Sequence, residues 1–257
     1  MSPKAIEWHI HTFKEIDSTQ RIAKNLAADG APEGTVVVAE TQSEGRGRAG
    51  RRWFSPPGGL WLSAVFRPTI TPTDVQKMTL AVGVAATRAI VRSTGLMANL
   101  KWPNDVQIGY RKVCGILTEA SVKSGVVEFL VVGVGINANV DLATLPPDLR
   151  PTTTSLKYEL KREIPIEKLT NALLLELQKE YASLSGGLFA PILADWRALT
   201  NTLGNWVEVQ TPNKTIDGFA EDLDHDGALI LRLADGSRVT VIAGDALLRR
   251  KHHFNQS

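Results

Sequence analysis

The chain has 257 residues, 43% of them apolar, and a formal charge of only +2 at pH 7. This is enough chain for one large domain and a small one; it lacks both the polarity of a disordered chain and the basic excess of a dedicated nucleic-acid binder. Apolar runs such as 126–134 are too short to span a bilayer, no signal peptide opens the sequence, and the lone Cys114 has no Cys or His neighbour at metal-ligand spacing. A cytoplasmic protein without an internal disulfide, a thiolate metal site or a membrane span is therefore expected.

Residues 8–16 read as an extended opening segment. Asp17-Ser18-Thr19 then offers caps for a helix that carries Ile22, Ala23, Leu26 and Ala27 on one face and ends at Gly30. The β-branched run 35–40 and the run 60–66 read as strands, so the polar, glycine-rich segment between them is a loop. Thr73-Asp74 caps a long amphipathic helix through Met78, Leu80, Val84 and Ile90, which stops at Gly95. Residues 100–102, 113–119 and 126–135 look like strands of one sheet, the last two joined across Lys123-Ser124-Gly125 as a hairpin. Two helices follow, one starting near Pro165 with Leu169, Leu173, Leu177 and Tyr181 at helical spacing, and a shorter one through Ile192 and Trp196 after Pro191. From Trp206 onward the chain changes to short alternating strands punctuated by Pro212-Asn213, Asp226-Gly227 and Asp235-Gly236, the rhythm of a small all-β barrel or sandwich. The expected division is 1–200 and 201–257, with the two parts packed together because no long linker separates them.

Chemistry concentrates in Gly45-Arg46-Gly47-Arg48-Ala49-Gly50-Arg51-Arg52-Trp53. Glycines let the backbone approach a ligand and present N–H groups to an anion, and arginine forks suit carboxylate and phosphate. A solvated basic loop or an RNA contact is the plainer reading, though such motifs usually come in repeats rather than between two buried strands. Lys101-Trp102-Pro103-Asn104-Asp105 follows a strand, where sites collect, yet taken alone it reads better as a Pro-Asn-Asp turn. Arg111-Lys112 carries a cation to the margin of an apolar strand, either to meet an oxyanion or as a hairpin-turn lysine.

Other signals fail on inspection. Residues 222–227 copy the opening of a calcium loop, but Leu233 stands where a bidentate Glu is required. Gly133-Val134-Gly135-Ile136-Asn137-Ala138 lacks the last glycine of a dinucleotide fingerprint. His9 and His11 share one face of an extended segment, where exposed or hydrogen-bonded histidines are commoner than a metal pair.

In their order along nearly the whole chain, Asp17-Ser18-Thr19-Gln20, the Gln42 to Trp53 loop, Lys101 to Asp105, the Arg111-Lys112 to Leu117 strand and Gly133-Val134-Gly135-Ile136-Asn137 resemble the biotin protein ligase family. The resemblance implies an α+β fold, with a catalytic domain like that of class II aminoacyl-tRNA synthetases and a C-terminal SH3-like β-barrel. It implies an enzyme that joins biotin and ATP into biotinyl-5′-AMP with Mg²⁺ and passes biotin to a lysine of a carboxylase's biotin-carrier domain. Carried over by residue, it places biotin against Ser18, Thr19, Gln20, Gln42, Arg46, Gly47, Arg48 and Lys112, with Gly115 and Gly133 allowing close packing of the ring. Trp53 would stack on adenine, Asn104 and Asn137 would serve the nucleotide, and Asp245 and Arg249 would help close the ATP site. Lys112, Arg48 and Asp105 are the implied catalytic groups, and no protein-held metal is implied.

Gln20 stands where relatives often carry Asn, which keeps the amide and lengthens its reach. The short segment before the first motif leads to the expectation of no helix-turn-helix domain and no DNA partner. Members of this form occur as monomers or homodimers, and no apolar edge in the sequence decides between them. Two alternatives stay open: a lipoate or octanoate ligase or transferase of the same fold, and a nucleic-acid-binding module built on the arginine loop, whose affinity would fall steeply with salt.

Overall fold

Residues 6–248 are described by a computed structural model of the chain. Seven strands build the main sheet: β1 (His9–Ile16), β2 (Thr35–Gln42), β3 (Leu60–Phe66), β4 (Asn99–Lys101), β5 (Asp105–Ile108), β6 (Arg111–Lys123) and β7 (Val126–Ile136), in the spatial order β1-β2-β3-β7-β6-β5-β4. β1 and β2 are parallel and the other neighbours antiparallel. A parallel pair needs a crossover, and α1 (Thr19–Ala28) supplies it. The β6–β7 hairpin turns at Ser124-Gly125, both with positive φ (51° and 79°), the backbone that a two-residue hairpin with native strand twist requires.

Side chains alternate along a strand, so the sheet has two chemically distinct faces. On one, Leu60, Leu62, Ala64 and Phe66 of β3 and Leu130, Val132, Val134 and Ile136 of β7 join the main core. The helices α2 (Val75–Thr94), α4 (Ile166–Ser185) and α5 (Phe189–Leu199) contribute Met78, Leu173, Leu177 and Trp196 to that core. On the other face, Val65, Phe129 and Val131 meet Ala23 and Ala27 of α1 in a smaller core. A ten-residue helix is only about 15 Å long and covers the β2-β3-β7 part of this face. The rest of the face carries the candidate site.

Several sequence expectations shift in detail. Asp74 is the N-cap of α2, as read, but its side chain makes no cap bond there: it accepts from the backbone N–H and hydroxyl of Thr71, which caps a short 3-10 turn, Pro72–Asp74, that feeds the helix, and Gly95 ends α2 in the left-handed region at φ 74°. Asp105, read as the last residue of a turn, opens the strand β5, and α3 (Leu156–Leu160) had no helical signature of its own. α5 begins two residues before Pro191, which is tolerated in a first turn because the N–H it lacks would have no partner there. Cys114 is buried in the main core, and burial pushes its thiol pKa up, so it behaves as a small apolar residue. Among the described residues no helix is long and apolar enough to cross a membrane.

The C-terminal strands β8 (Trp206–Gln210), β9 (Thr215–Leu223), β10 (Leu229–Arg232), β11 (Arg238–Val241) and β12 (Asp245–Leu248) form an antiparallel sheet in the order β11-β10-β9-β8-β12. The expected barrel is not closed: among the described residues, β11 and β12 occupy opposite edges and share no ladder. Five flat strands would set those edges roughly 19 Å apart, whereas the short Val241-to-Asp245 link spans at most about 14 Å, so the sheet must curl strongly even without closing bonds.

This unit is anchored in the main core. Trp102 Nε1 donates to the Gly227 carbonyl at 3.2 Å, and Trp102 N donates to Thr202 Oγ1 at 2.9 Å. Gly227 has φ +86°, and a Cβ there would overlap Leu80 of α2. Gly227→Ala combines left-handed strain with overpacking and is expected to cost about 3 kcal/mol, read as a lowered urea midpoint. A midpoint within error of the parent would remove this turn from the list of tertiary anchors.

Candidate active site

Strand register places the site. Ser63 of β3 pairs with Gly133 of β7, Gly133 with Leu117 and Gly135 with Gly115 of β6, Gly115 with Asp105 of β5, and Asp105 with Lys101 of β4. Period-2 alternation puts Ser63, Gly133, Gly135, Gly115, Asp105 and Lys101 on the same face as α1. They line a cavity of about 840 Å³ that also takes in the arginine loop and reaches Asn205, Asp245 and Leu248 of the C-terminal part.

Lys112 joins them through a backbone irregularity. Val106 pairs with Cys114, but Gln107 pairs with Lys112, so Val113 is an extra residue on β6. Without that bulge Lys112 would share the core-facing side with Cys114 and Ile116; with it, Lys112 turns onto the pocket face beside Gln107 and Asp105. Its Nζ lies 2.6 Å from Asp105 Oδ1 and 5.1 Å from the Trp53 ring centroid. Nothing in the sequence announced the bulge.

One end of the cavity is neutral and closed. Gln42 Oε1 accepts from Thr19 N at 2.7 Å and from Thr19 Oγ1 at 3.0 Å, while Gln42 Nε2 donates to Ser55 Oγ at 2.7 Å. Thr19 Oγ1 and Ser63 Oγ lie 2.9 Å apart, Ser63 Oγ donates to Gln20 Oε1 at 3.0 Å, and Gln20 Nε2 donates to the Val131 carbonyl at 3.0 Å. Ser18 sits at the N-cap of α1 but its hydroxyl does not cap; the buried Oγ has no partner among the described residues. The expected helix cap is thus a free donor and acceptor at the cavity wall. Ser63 was missed, although a lone hydroxyl in the otherwise apolar, wholly buried run Leu60–Phe66 is a readable signal.

The other end is cationic. The loop after β2 is pinned by the Arg46 to Arg52 bridge and by Trp53 N donating to the Gly45 carbonyl at 2.8 Å, with Ala49 (φ 53°) and Gly50 (φ 74°) turning it over. Arg48 Nη1 donates to Asn104 Oδ1 at 2.7 Å and lies 3.7 Å from Asp245 Oδ1; Arg51 reaches Asp245 Oδ2 at 2.7 Å. Burial lowers the Arg48 pKa, an effect that Asp245 and Asp105 oppose. Asp245 of β12 therefore ties the loop to the C-terminal unit. Arg46 points instead toward Glu119, 3.6 Å away, whose buried Oε2 has no hydrogen-bond partner.

The remaining sequence candidates fall as follows. Asn104 and Asn137 line the cavity, but their amide nitrogens are held by the Ile116 and Thr154 carbonyls, at 2.8 and 3.1 Å. Gly47 lies in the loop, and its N–H donates to the Arg51 carbonyl at 2.7 Å. A Cβ on Gly133 would come 2.6 Å from Gln20 Oε1, so this glycine makes room for an amide. Trp53 lies over the sheet: a Cβ on Gly115 or Gly135 would come within 2.7 or 2.6 Å of its ring, and its buried Nε1 has no partner. Arg249 lies outside the described residues.

Residues 12–137 match the Biotin/lipoate A/B protein ligase family, and residues 202–249 match the Biotin protein ligase C terminal domain. The chain is 36% identical over 222 residues to the bifunctional ligase/repressor BirA of Bacillus spizizenii, covering 86% of this chain and 68% of that protein. It is 33% identical over 227 residues to the biotin--[acetyl-CoA-carboxylase] ligase of Paracoccus denitrificans, covering 87% and 94% of the two. The chain belongs to the biotin protein ligase family. Its structure superimposes on that of the biotin protein ligase from Aquifex aeolicus in complex with biotin and ATP with a TM-score of 0.81 at 27% identity, covering 95% of this chain and 99% of that one. The candidate residues that the structure describes therefore line one cavity.

Trp53 offers a local test. Gly135→Ala should force the ring off the sheet while leaving the β3-β7-β6 ladder intact, because the added methyl meets a side chain rather than backbone. The expected outcome is a roughly tenfold weaker apparent affinity for ATP, about 1.4 kcal/mol, together with a changed tryptophan emission spectrum. An unchanged affinity with a displaced ring would overturn the expectation, carried by the family resemblance, that Trp53 stacks on adenine.

Proposed function

We propose that this cavity joins biotin and ATP into biotinyl-5′-AMP and passes the biotinyl group to a lysine of a carboxylase's biotin-carrier domain. The observation that carries the reading is the polarity of the cavity on the sheet face: neutral hydrogen-bonding groups at its closed end, cations at the other. A ureido head is neutral, with N–H donors and a C=O acceptor, and fits Ser18, Thr19 and Gln42; a dithiolane or alkyl tail would leave the free Ser18 hydroxyl unsatisfied. A valerate-length chain then runs toward Lys112 alongside the Gln20 amide and the Trp53 ring, which cover Gly133 and Gly115. The catalytic unit would end near residue 200, with 201–257 as the small domain that supplies Asp245.

In the first step a biotin carboxylate oxygen attacks the α-phosphorus of ATP. The new O–P bond forms as the α-phosphorus to bridging-oxygen bond breaks, and pyrophosphate leaves with the electron pair. Lys112 and Arg48 stabilise the charge that builds on the transferring group. The arginine loop, tied to Asp245, shields the resulting anhydride from water. In the second step the acceptor lysine, as a neutral amine, attacks the acyl carbon of the anhydride: the new C–N bond forms as the bond from that carbon to the phosphate oxygen breaks, AMP leaves with the electron pair, and Asp105, at the same locus as Lys112, orients the amine and takes its proton.

Mg²⁺ would be brought by the nucleotide. Asp105 and Asp245 are the carboxylates lining the cavity among the described residues, and both are ion-paired. That donor set fits an ion held mainly by phosphate oxygens and water, where it would screen the triphosphate charge.

The test is pyrophosphate release with Mg-ATP and biotin, lipoate or octanoate offered separately, followed by mass spectrometry of an added biotin-carrier domain. Biotin-selective turnover with one modified lysine is expected. Turnover with lipoate or octanoate alone would replace the substrate, and silence with all three would sink the reading.

A further inference from the structure

The cavity's cations are not equivalent. Lys112 pairs with Asp105, Arg48 and Arg51 with Asp245, and Arg46 with Glu119. Arg52 turns outward to the Ser43 carbonyl and the Phe54 ring. The Lys101 side chain has no hydrogen bond and no ion pair with any described residue. Yet it stands at the end of β4, partly buried in the cavity wall, where burial lowers its pKa and Asp105 and Asp245 hold it only through space. Partial burial of an unpaired ammonium is costly, and a ligand anion would remove that cost.

Position identifies which anion, on the reading that biotin and ATP occupy this cavity. Across the sheet the order is β3 and β7 at the neutral end, then Lys112 on β6, Asp105 on β5 and Lys101 on β4. Strands are about 4.8 Å apart, so Lys101 stands roughly 10 Å beyond β6, on the side away from the closed pocket. The attacking carboxylate arrives from the closed side. In phosphoryl transfer the attacking and leaving oxygens are roughly in line, so the bridging oxygen departs toward β5 and β4. We infer that Lys101 is the cation that receives the pyrophosphate leaving group: it touches the β- and γ-phosphates of ATP and does not serve the transfer of biotin to the acceptor.

This role splits the two half-reactions. In Lys101→Met, which keeps the apolar stem, single-turnover formation of biotinyl-5′-AMP should fall 10- to 50-fold. Reversal of that step by added pyrophosphate should fall equally, since both directions share one transition state. Transfer from synthetic biotinyl-5′-AMP to a biotin-carrier domain should stay within twofold of the parent. Lys101→Arg, which restores a cation, should recover most of the first step. Equal slowing of both half-reactions in Lys101→Met, or an unchanged first step, would overturn the assignment. Calorimetric titration of the full chain with Mg-pyrophosphate, without biotin, separates this inference from the reading beneath it. About tenfold weaker binding in Lys101→Met supports the site even if biotin proves the wrong acid, and equal binding overturns it.

Discussion

Lys112→Ala is expected to lower single-turnover formation of biotinyl-5′-AMP about 1,000-fold, equivalent to about 4 kcal/mol of transition-state stabilisation. The magnitude follows from where the charge sits. Lys112 Nζ is aimed at the pocket by the Val113 bulge, lies 2.6 Å from Asp105 and faces the Trp53 ring, a setting drier than water in which a fixed cation acts at reduced dielectric. Removing it also strands the Asp105 carboxylate, whose side chain is only 15% exposed, so some stability is lost too, on the order of 1–2 kcal/mol. The two losses are separable, because the rate is measured well below the melting temperature and the stability by urea titration. A rate within tenfold of the parent would mean that Lys112 is not the cation at the reacting phosphorus. Lys112→Arg keeps the charge, but its planar fork must fit beside the Trp53 ring over Gly115, so only partial recovery is expected.

The same bulge marks where the sequence stopped being readable. Strongly patterned elements were legible: β3 as an apolar run, α2 with its stop at Gly95, the Ser124-Gly125 hairpin and the rhythm of the C-terminal strands. β5 was not, because four residues after a Pro-Asn-Asp sequence carry too little pattern to outweigh turn chemistry, and pairing with β4 and β6 decides the matter. The motif residues were found through their order along the chain, yet their relations were hidden. Trp53 crosses Gly115 and Gly135, Arg51 meets Asp245 some two hundred residues away, and Lys112 changes face through one unpaired residue. Each depends on strand register, which local pattern does not encode. Gln20 shows the same limit: its amide is bonded at both ends, to Ser63 and to Val131, so it can shape the closed end through Ser63 without touching the ligand.

Asp105→Asn should separate the two chemical steps in the opposite sense to Lys101. The substitution keeps size and an oxygen for Lys112 but removes the charge and the basicity. Transfer of biotin from pre-formed biotinyl-5′-AMP to a biotin-carrier domain is expected to fall about 100-fold, the ordinary range for loss of a general base. Adenylate formation should fall less than tenfold, because Lys112 keeps its place and gains freedom to bind phosphate. The pairing at 2.6 Å gives a second route by which the variant acts, through Lys112, and that route predicts equal loss in both steps. The ratio of the two rates is therefore the decisive quantity. A selective loss in transfer, relieved at high pH where more of the acceptor lysine is already neutral, assigns Asp105 to proton removal. Parallel losses without that pH relief would reduce Asp105 to the residue that holds Lys112 in position.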